Sequence, residues 1–326
     1  MIEENGGSME IKKESKYAVG FDLGGTSLKY GYGNSHSGLL YFNTIDHKEK
    51  SLDGLIDTFR KAYADLKNNK PDCFKSLGLA TPGIVDSKRN LVLGSTPNLP
   101  FLKNINLVEI LYNITSLPIF IENDANLMTL AEAQDCDTNS ALGITIGTGL
   151  GTGFVINNDC SHDSGQHRHS KTIYKGENDM AMESGHMIIF PQGRPCLCGK
   201  NGCLEAYTSA ESIKKIIYER FPEHTGLSIK EILDHKSLRV KSAICELIDI
   251  LALGVANISM ILNPGTIFIG GGVAEIESFD FGYLKNKIYI YLSEDYKYTK
   301  IKRALYGNRA GVLGAIIFSE NNETKT

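Results

Sequence analysis

Apolar and polar residues change period several times along the chain, and the changes mark its elements. Tyr17–Leu23 is a short apolar run ending in Asp-Leu-Gly-Gly-Thr, which predicts a strand running into a tight turn. Alternation over Leu28–Gly33 and Leu39–Ile45 predicts two strands hairpinned onto the first. From Leu52 to Leu66 the apolar residues fall at helical spacing. Lys75–Ala80 reads as another strand, followed by the turn Thr81-Pro82-Gly83. Pro118–Ile121 reads as a short strand, with a helix over Asn126–Gln134 directly after it. Ala141–Ile146 is a strand that breaks at Gly147–Gly153, where every second residue is glycine, and resumes to Ile156. Ala210–Arg220 and Lys241–Leu262 predict helices, Gly265–Ile269 a strand ending in Gly270-Gly271-Gly272, and Gly311–Phe318 a closing helix. Residues 157–179 are polar, carry His162, His167 and His169, and read as a long surface loop, a histidine metal site there being the rarer alternative.

The unit of strand, Gly-Thr turn and strand occurs at Phe21–Tyr30 and again at Ile144–Val155. The repeat, with strands alternating with helices, predicts two related α/β domains facing each other across a cleft. A length of 326 residues also favours two cores over one. The expected division is a polar tail at 1–16, domains at 17–122 and 123–318, and a short tail at 319–326.

Composition narrows the function class. The chain is 42% hydrophobic and 22% charged with a net charge of −4, so no basic face is implied and nucleic acid is not an expected partner. Met1–Lys16 lacks the apolar core of a signal peptide, and no apolar run approaches the roughly 18 residues that span a bilayer. A cytoplasmic protein with no membrane partner is expected. Its seven cysteines then stay reduced, and clustered ones read as metal ligands.

Glycine at a hairpin tip lets backbone N–H groups approach an anion closely, and threonine adds a hydroxyl donor. Two such turns in matched settings favour phosphate binding over mere tight turns. Asp22 is suited to hold Mg²⁺ directly or through water, and Lys29 to offset phosphate charge. Other nucleotide motifs do not fit. The nearest stretch to a P-loop, Gly193 to Asn201, has five residues between its glycines and ends in asparagine, and the spacing at Gly147–Gly153 is not a dinucleotide fingerprint.

Cys196, Cys198 and Cys203 lie within eight residues, ten positions after His186. Three thiolates and one imidazole make a closed tetrahedral Zn²⁺ site of the structural kind. Glu122-Asn123-Asp124 stands at a strand end ahead of a helix. Asp124 either caps that helix or, facing the crevice at the strand's carboxyl end, accepts the proton of an attacking substrate hydroxyl. Glu183 and Glu205 flank the cysteine cluster, which would fix both as acceptors for sugar hydroxyls or leave them as surface carboxylates.

Together these stretches resemble the ROK family (repressor, open reading frame, kinase) of sugar kinases and sugar-responsive repressors. They are Asp22-Leu23-Gly24-Gly25-Thr26 with Lys29; Ala80-Thr81-Pro82-Gly83; Glu122 through Asn126; Ile146 through Gly151; Glu183-Ser184-Gly185-His186; Cys196 through Glu205; and Asn263-Pro264-Gly265 through Gly272. The resemblance covers about residues 17–318. It implies an actin-like (ribonuclease H-like) ATPase fold with ATP in the interdomain cleft. On that resemblance Asp22, Gly24, Gly25, Thr26 and Lys29 meet the phosphates and Mg²⁺. Gly147, Thr148 and Gly149 hold the other side of the phosphate tail, and Gly271 and Gly272 lie near the adenosine. Asp124 is the catalytic base. Gly83, Asn123, Asp124, Glu183, His186 and Glu205 form the sugar pocket, and His186 with Cys196, Cys198 and Cys203 bind zinc. Serine at 184, the length of the 157–179 loop and Arg309 depart from the usual pattern.

The expected activity is ATP-dependent phosphorylation of a hexose, glucose to glucose 6-phosphate first. N-acetylmannosamine, N-acetylglucosamine, mannose and fructose remain open, because the ligating residues meet hydroxyls that these sugars share. A homodimer or homotetramer is implied. A sugar-responsive regulator of the family would carry a helix-turn-helix segment ahead of the kinase-like part, for which some 16 residues are too few. A non-catalytic sugar binder would lack the base or a phosphate turn.

Overall fold

The computed structural model describes residues 16–47, 49–69, 74–86, 88–93, 99–157 and 171–323. His162, His167 and His169, and all but Lys16 of the expected N-terminal tail, lie outside those residues.

The chain opens with an antiparallel meander, β1 (Ala18–Leu23), β2 (Ser27–Asn34) and β3 (Gly38–Asp46), as its alternation predicts. Helix α1 (Leu52–Asn69) buries the stripe Leu55, Phe59, Ala62 and Leu66 and leads to β4 (Leu77–Thr81), which lies parallel to β1. A small ribbon of β5 (Val85–Asp86) and β6 (Leu91–Val92) follows. Helix α2 (Leu107–Thr115), capped by the Asn106 side chain on the Glu109 N–H, then delivers β7 (Ile119–Asn123) parallel to β4.

The second half repeats the path. After α3 (Asp124–Ala133) comes a second antiparallel meander, β8 (Ser140–Ile146), β9 (Leu150–Asn157) and β10 (Lys171–Ile173). Helices α4 (Glu205–Thr208), α5 (Ala210–Arg220), α6 (Ile229–Leu233) and α7 (Leu238–Leu262) precede β11 (Thr266–Gly270), parallel to β8. Helix α8 (Phe281–Tyr291), β12 (Lys300–Arg303) parallel to β11, and α9 (Ala310–Glu323) complete the chain. The sheet orders are β3-β2-β1-β4-β7 and β10-β9-β8-β11-β12, one topology used twice. This is the duplicated α/β architecture that the two Gly-Thr units predict.

Each sheet buries one face against its own helices. In the first half Phe21 stacks on Phe59 at 5.7 Å within a core shared with α1 and α2. In the second, Leu142, Ile144, Ile267 and Ile269 pack with residues of α5, α7 and α8. The inner faces are closed by α3, which lies on β8 and β9, and by α9, which lies on β1, β2 and β4; the two helices also pack on each other. These approaches are backbone to backbone. A Cβ on Gly78 would stand 1.9 Å from the Ala315 carbonyl oxygen, and one on Gly314 would stand 2.0 Å from that of Leu127. Glycine is required there because no side chain fits between the elements.

Three expectations change. The closing helix packs on the first sheet although it follows the second, and the tail expected from 319 is helical to Glu323, with Ser319 and Glu320 buried. Within the polar stretch 157–179, Lys171–Ile173 forms an edge strand. Lys171 is buried because its ammonium donates to the carbonyls of Ala133 and Cys136 at the end of α3. And α7 is long and apolar enough, by length and composition, to cross a membrane. It is instead the central helix of the second core: Leu247, Leu251, Val255 and Ile258 are buried among residues of that core.

Candidate active site

Asp22, Thr81 and Asn123 in the first sheet and Ile146 and Gly270 in the second stand at or near the carboxyl ends of strands, where crevices form in α/β folds. Register aligns the first set: Asp22 on β1 pairs with Ala80 on β4, which pairs with Glu122 on β7. Across the antiparallel pair Asp22 faces Lys29, whose ammonium lies 3.2 Å from its carboxylate. Burial raises the Asp22 carboxyl above the usual carboxylate range, and Lys29 opposes that rise. Asp22 also lies against the start of α9. A Cβ on Gly311 would stand 2.6 Å from the Asp22 carboxyl carbon, so this glycine makes room for the acid.

Beyond Asp22 the Gly24–Thr26 turn is closed by the Gly24 N–H on the Ser27 carbonyl at 2.9 Å. Thr26 at its tip is exposed. His47, which the sequence reading passed over, braces the turn through its own N–H to the Thr26 carbonyl and its Nε2 to the Gly24 carbonyl, 3.2 Å away. Burial holds this imidazole below its usual range, so the ring is neutral and Nε2–H is the donor.

The second turn is held by backbone groups and by one carboxylate. The Gly147 N–H bonds to the Gly149 carbonyl, and the Gly147 carbonyl accepts from Ala210 at the start of α5. Glu205 holds the next residue, its Oε2 accepting from the Leu150 N–H at 2.8 Å. Gly271 adopts a φ of +90°, and a Cβ there would stand 2.6 Å from the Ile146 nitrogen, so the glycine run after β11 lies flush against this turn. Gly272 beside it is exposed, with nothing near its Cβ position.

Asp124 is the first residue of α3 and is not its cap. Asn123 caps the helix, its side-chain oxygen accepting from the N–H groups of Ala125 and Asn126, while its amide donates to the Gly83 carbonyl at 3.1 Å. Gly83, at a φ of +91°, is thereby tied to the same corner. One oxygen of Asp124 accepts from the Ala125 N–H, and the residue as a whole is half-buried. Its carboxyl is pushed up to about 7, first by burial and then by the Asp22 charge, with the Ala125 N–H and Lys29 acting in the opposite direction.

Glu183 precedes and His186 ends a single 3-10 turn, Ser184–His186, held by the Thr152 hydroxyl, which accepts from the Ser184 N–H and donates to the Met182 carbonyl. Burial raises the Glu183 carboxyl; His186 opposes the rise and Glu205 adds to it, so these three expected sugar ligands share one electrostatic neighbourhood. His186 is also one of four donors with Cys196, Cys198 and Cys203, all within 4.8 Å of one another. Two edges of the cluster, His186 Nδ1 to Cys196 Sγ and Cys198 Sγ to Cys203 Sγ, are both 3.6 Å. A tetrahedron of sulfurs about 2.3 Å from a zinc ion has edges of about 3.8 Å. The donor set therefore fits Zn²⁺. Burial and the neighbouring sulfurs push the Cys203 thiol up to about 12, a cost that a divalent cation would offset on binding.

Asp22 and Lys29 thus lie within electrostatic reach of Asp124, Asn123 ties Gly83 to the same corner, and Glu205 joins Glu183 and His186 to the second turn, with the cysteine cluster beside it: Glu205 Oε1 lies 3.9 Å from Cys196 Sγ. Sequence reading missed Gly311, which it quoted without a role, and His47, which no local pattern marks. Arg309 lies over the Phe42 ring at 5.6 Å, so it fastens α9 to β3.

The profile of the ROK family matches residues 18–322. Glucokinase of Thermotoga maritima is 28% identical over 317 residues, 91% of this chain and 95% of the relative. An N-acetyl-D-glucosamine kinase of Vibrio atlanticus is 29% identical over 314 residues, covering 91% and 97%. The crystal structure of a ROK hexokinase from Thermus thermophilus superposes with a TM-score of 0.81 at 25% identity, over 95% of this chain and all of that one.

Proposed function

The chain belongs to the ROK family, and from that premise we propose that it transfers the γ-phosphoryl group of ATP to a hydroxyl of a hexose, glucose first among them. The observation that carries the reading is Asp124: a carboxylate at the start of α3, uncommitted to capping that helix and beside the Asp22–Lys29 pair of the first glycine turn, with its pKa pushed to about 7. A base poised near the working pH can take a hydroxyl proton as the oxygen attacks phosphorus. In the proposed step the sugar hydroxyl oxygen bonds to the γ-phosphorus, its proton passes to Asp124, the bond to the bridging oxygen breaks and ADP leaves.

Gly24, Gly25 and Thr26 on one side and Gly147, Thr148 and Gly149 on the other are suited to cradle the phosphates through backbone N–H groups, with Gly271 and Gly272 beside the nucleoside. Asp22 would hold Mg²⁺, which neutralises phosphate charge when bound, and Lys29 would offset phosphate charge directly. Gly83, Asn123, Glu183, His186 and Glu205 would receive the sugar. Zn²⁺ held by His186, Cys196, Cys198 and Cys203 would fix the segments carrying Glu183 and Glu205, a structural contribution. A second sugar is favoured by one finding: kinases named for N-acetyl-D-glucosamine resemble this chain as closely as the glucokinase does. We further propose an assembly of two or four copies acting in the cytoplasm.

The test is ADP release from Mg·ATP with glucose, mannose, fructose, N-acetylglucosamine and N-acetylmannosamine in turn. Release that depends on one of these sugars is the expected result. No sugar-dependent release from zinc-replete protein would defeat the kinase reading for this panel.

A further inference from the structure

Glu122 is 3% exposed, at the end of β7 directly before the cap and the proposed base. Its carboxylate is engaged on both oxygens. Oε1 accepts from the Asn123 N–H at 2.9 Å and from the Asn126 amide at 3.0 Å, and so grips the first turn of α3 at two points. Oε2 forms an ion pair with the ammonium of Lys175.

Lys175 belongs to the other half of the molecule. It stands two residues after β10, and its backbone carbonyl accepts from the Ala181 N–H at 3.0 Å, closing the loop that leads to Glu183. Its ammonium also lies 5.4 Å from the centre of the Phe318 ring on α9. One residue therefore joins the segment proposed to hold the sugar, the strand end proposed to hold the base, and the helix between the halves. Removing one partner of a buried ion pair leaves the other charge unpaired, which costs far more than replacing both.

We propose that Lys175 is a positioning residue for phosphoryl transfer, setting the sugar-holding segment against Asp124 through Glu122. This rests on the kinase reading above. Lys175 itself touches no reacting atom. Its effect runs through the Asn123 cap, which also holds Gly83, and through the loop ahead of Glu183. The nucleotide turns at Gly24–Thr26 and Gly147–Gly149 lie outside this chain of contacts.

The experiment is a double-mutant cycle of Lys175→Met, Glu122→Gln and both together, with Lys175→Arg as the conservative variant. The kinase reading is first tested independently by sugar-dependent ADP release from the unaltered protein. In the cycle, Lys175→Met is expected to lower kcat/KM for the sugar about 100-fold, the loss that a displacement of about 1 Å produces, with KM for ATP unchanged. Lys175→Arg retains most of the activity, and Lys175→Met in the Glu122→Gln background costs less than about threefold, because no buried charge is then left unpaired. Should Lys175→Met alone not fold, that last comparison still decides. Equal losses in both backgrounds, equal shifts in the KM values of sugar and ATP, or a lowered melting temperature with unchanged kinetic constants would each overturn the proposal.

Discussion

The turn after Asp22 and the turn after Ile146 have one outline, a glycine-rich tip carrying a threonine between antiparallel strands, and different roots. Behind the first stand a buried acid and its lysine, with an imidazole bracing the loop. Behind the second stand backbone groups, the start of α5 on Gly147 and Gly271 pressed against Ile146, and a lone carboxylate, Glu205, on the Leu150 N–H. The duplicated topology supplies both turns, and the charges divide the labour. The first turn has an acid and a lysine paired at its root, the second a single carboxylate beside its tip. Asp124 feels the first turn through Asp22 and Lys29.

Experiments can press on that division, the most damaging first. Asp124→Asn is expected to lower kcat about 10²–10⁴-fold, the usual contribution of a general base, with sugar affinity by calorimetry nearly intact; near-normal turnover would remove Asp124 from the chemistry. Cys198→Ser is expected to cost about 4 kcal/mol or more of stability through the lost metal ligand and to weaken sugar binding with it. Metal analysis of the unaltered protein should return one zinc per chain; an active, zinc-free preparation would refute the site, and a stability loss with unchanged sugar affinity would mean that the knot does not position Glu183 and Glu205.

Beside the second turn, Gly271→Ala should destabilise by about 1–3 kcal/mol through overpacking and raise KM for ATP, whereas Gly272→Ala, which meets open space, should change stability by less than about 0.5 kcal/mol. Equal effects would show that close approach to Ile146 is not what matters. The smallest expected effect belongs to the first turn. Protonated Asp124 cannot accept a proton, so kcat/KM should rise with pH through about 7. Lys29 lowers the Asp124 pKa, so Lys29→Met should move that limb to higher pH. A limb that stays in place would separate the first turn from the base.

Much of this was legible in the residues. The two Gly-Thr hairpins, the strand ahead of Asp124 and the Cys-His set are local patterns, and the structure gathers them as their spacing suggests. What escaped was non-local or ran against propensity. Helix α8 contains Tyr289-Ile290-Tyr291, residues that favour strands, yet Leu284 and Ile288 dock into the core beside α7 and packing overrides the preference. The partnership of Asp22 with Gly311 spans almost the entire chain, and no period or motif marks it. Asp124 read as a possible cap because aspartate often caps; only the placed side chains show that Asn123 does so and leaves its neighbour uncommitted to capping.

The swapped placement of the last helix bears on how the polypeptide emerges during synthesis. The first sheet is complete at Asn123, but the helix that covers its inner face starts at Ala310. At roughly 5–20 residues per second the intervening stretch takes about 10–40 s to translate. Throughout that interval the nascent first half lacks its roof over Ala18, Gly20, Ser76, Gly78 and Ala80, a face of small residues shaped for one later helix.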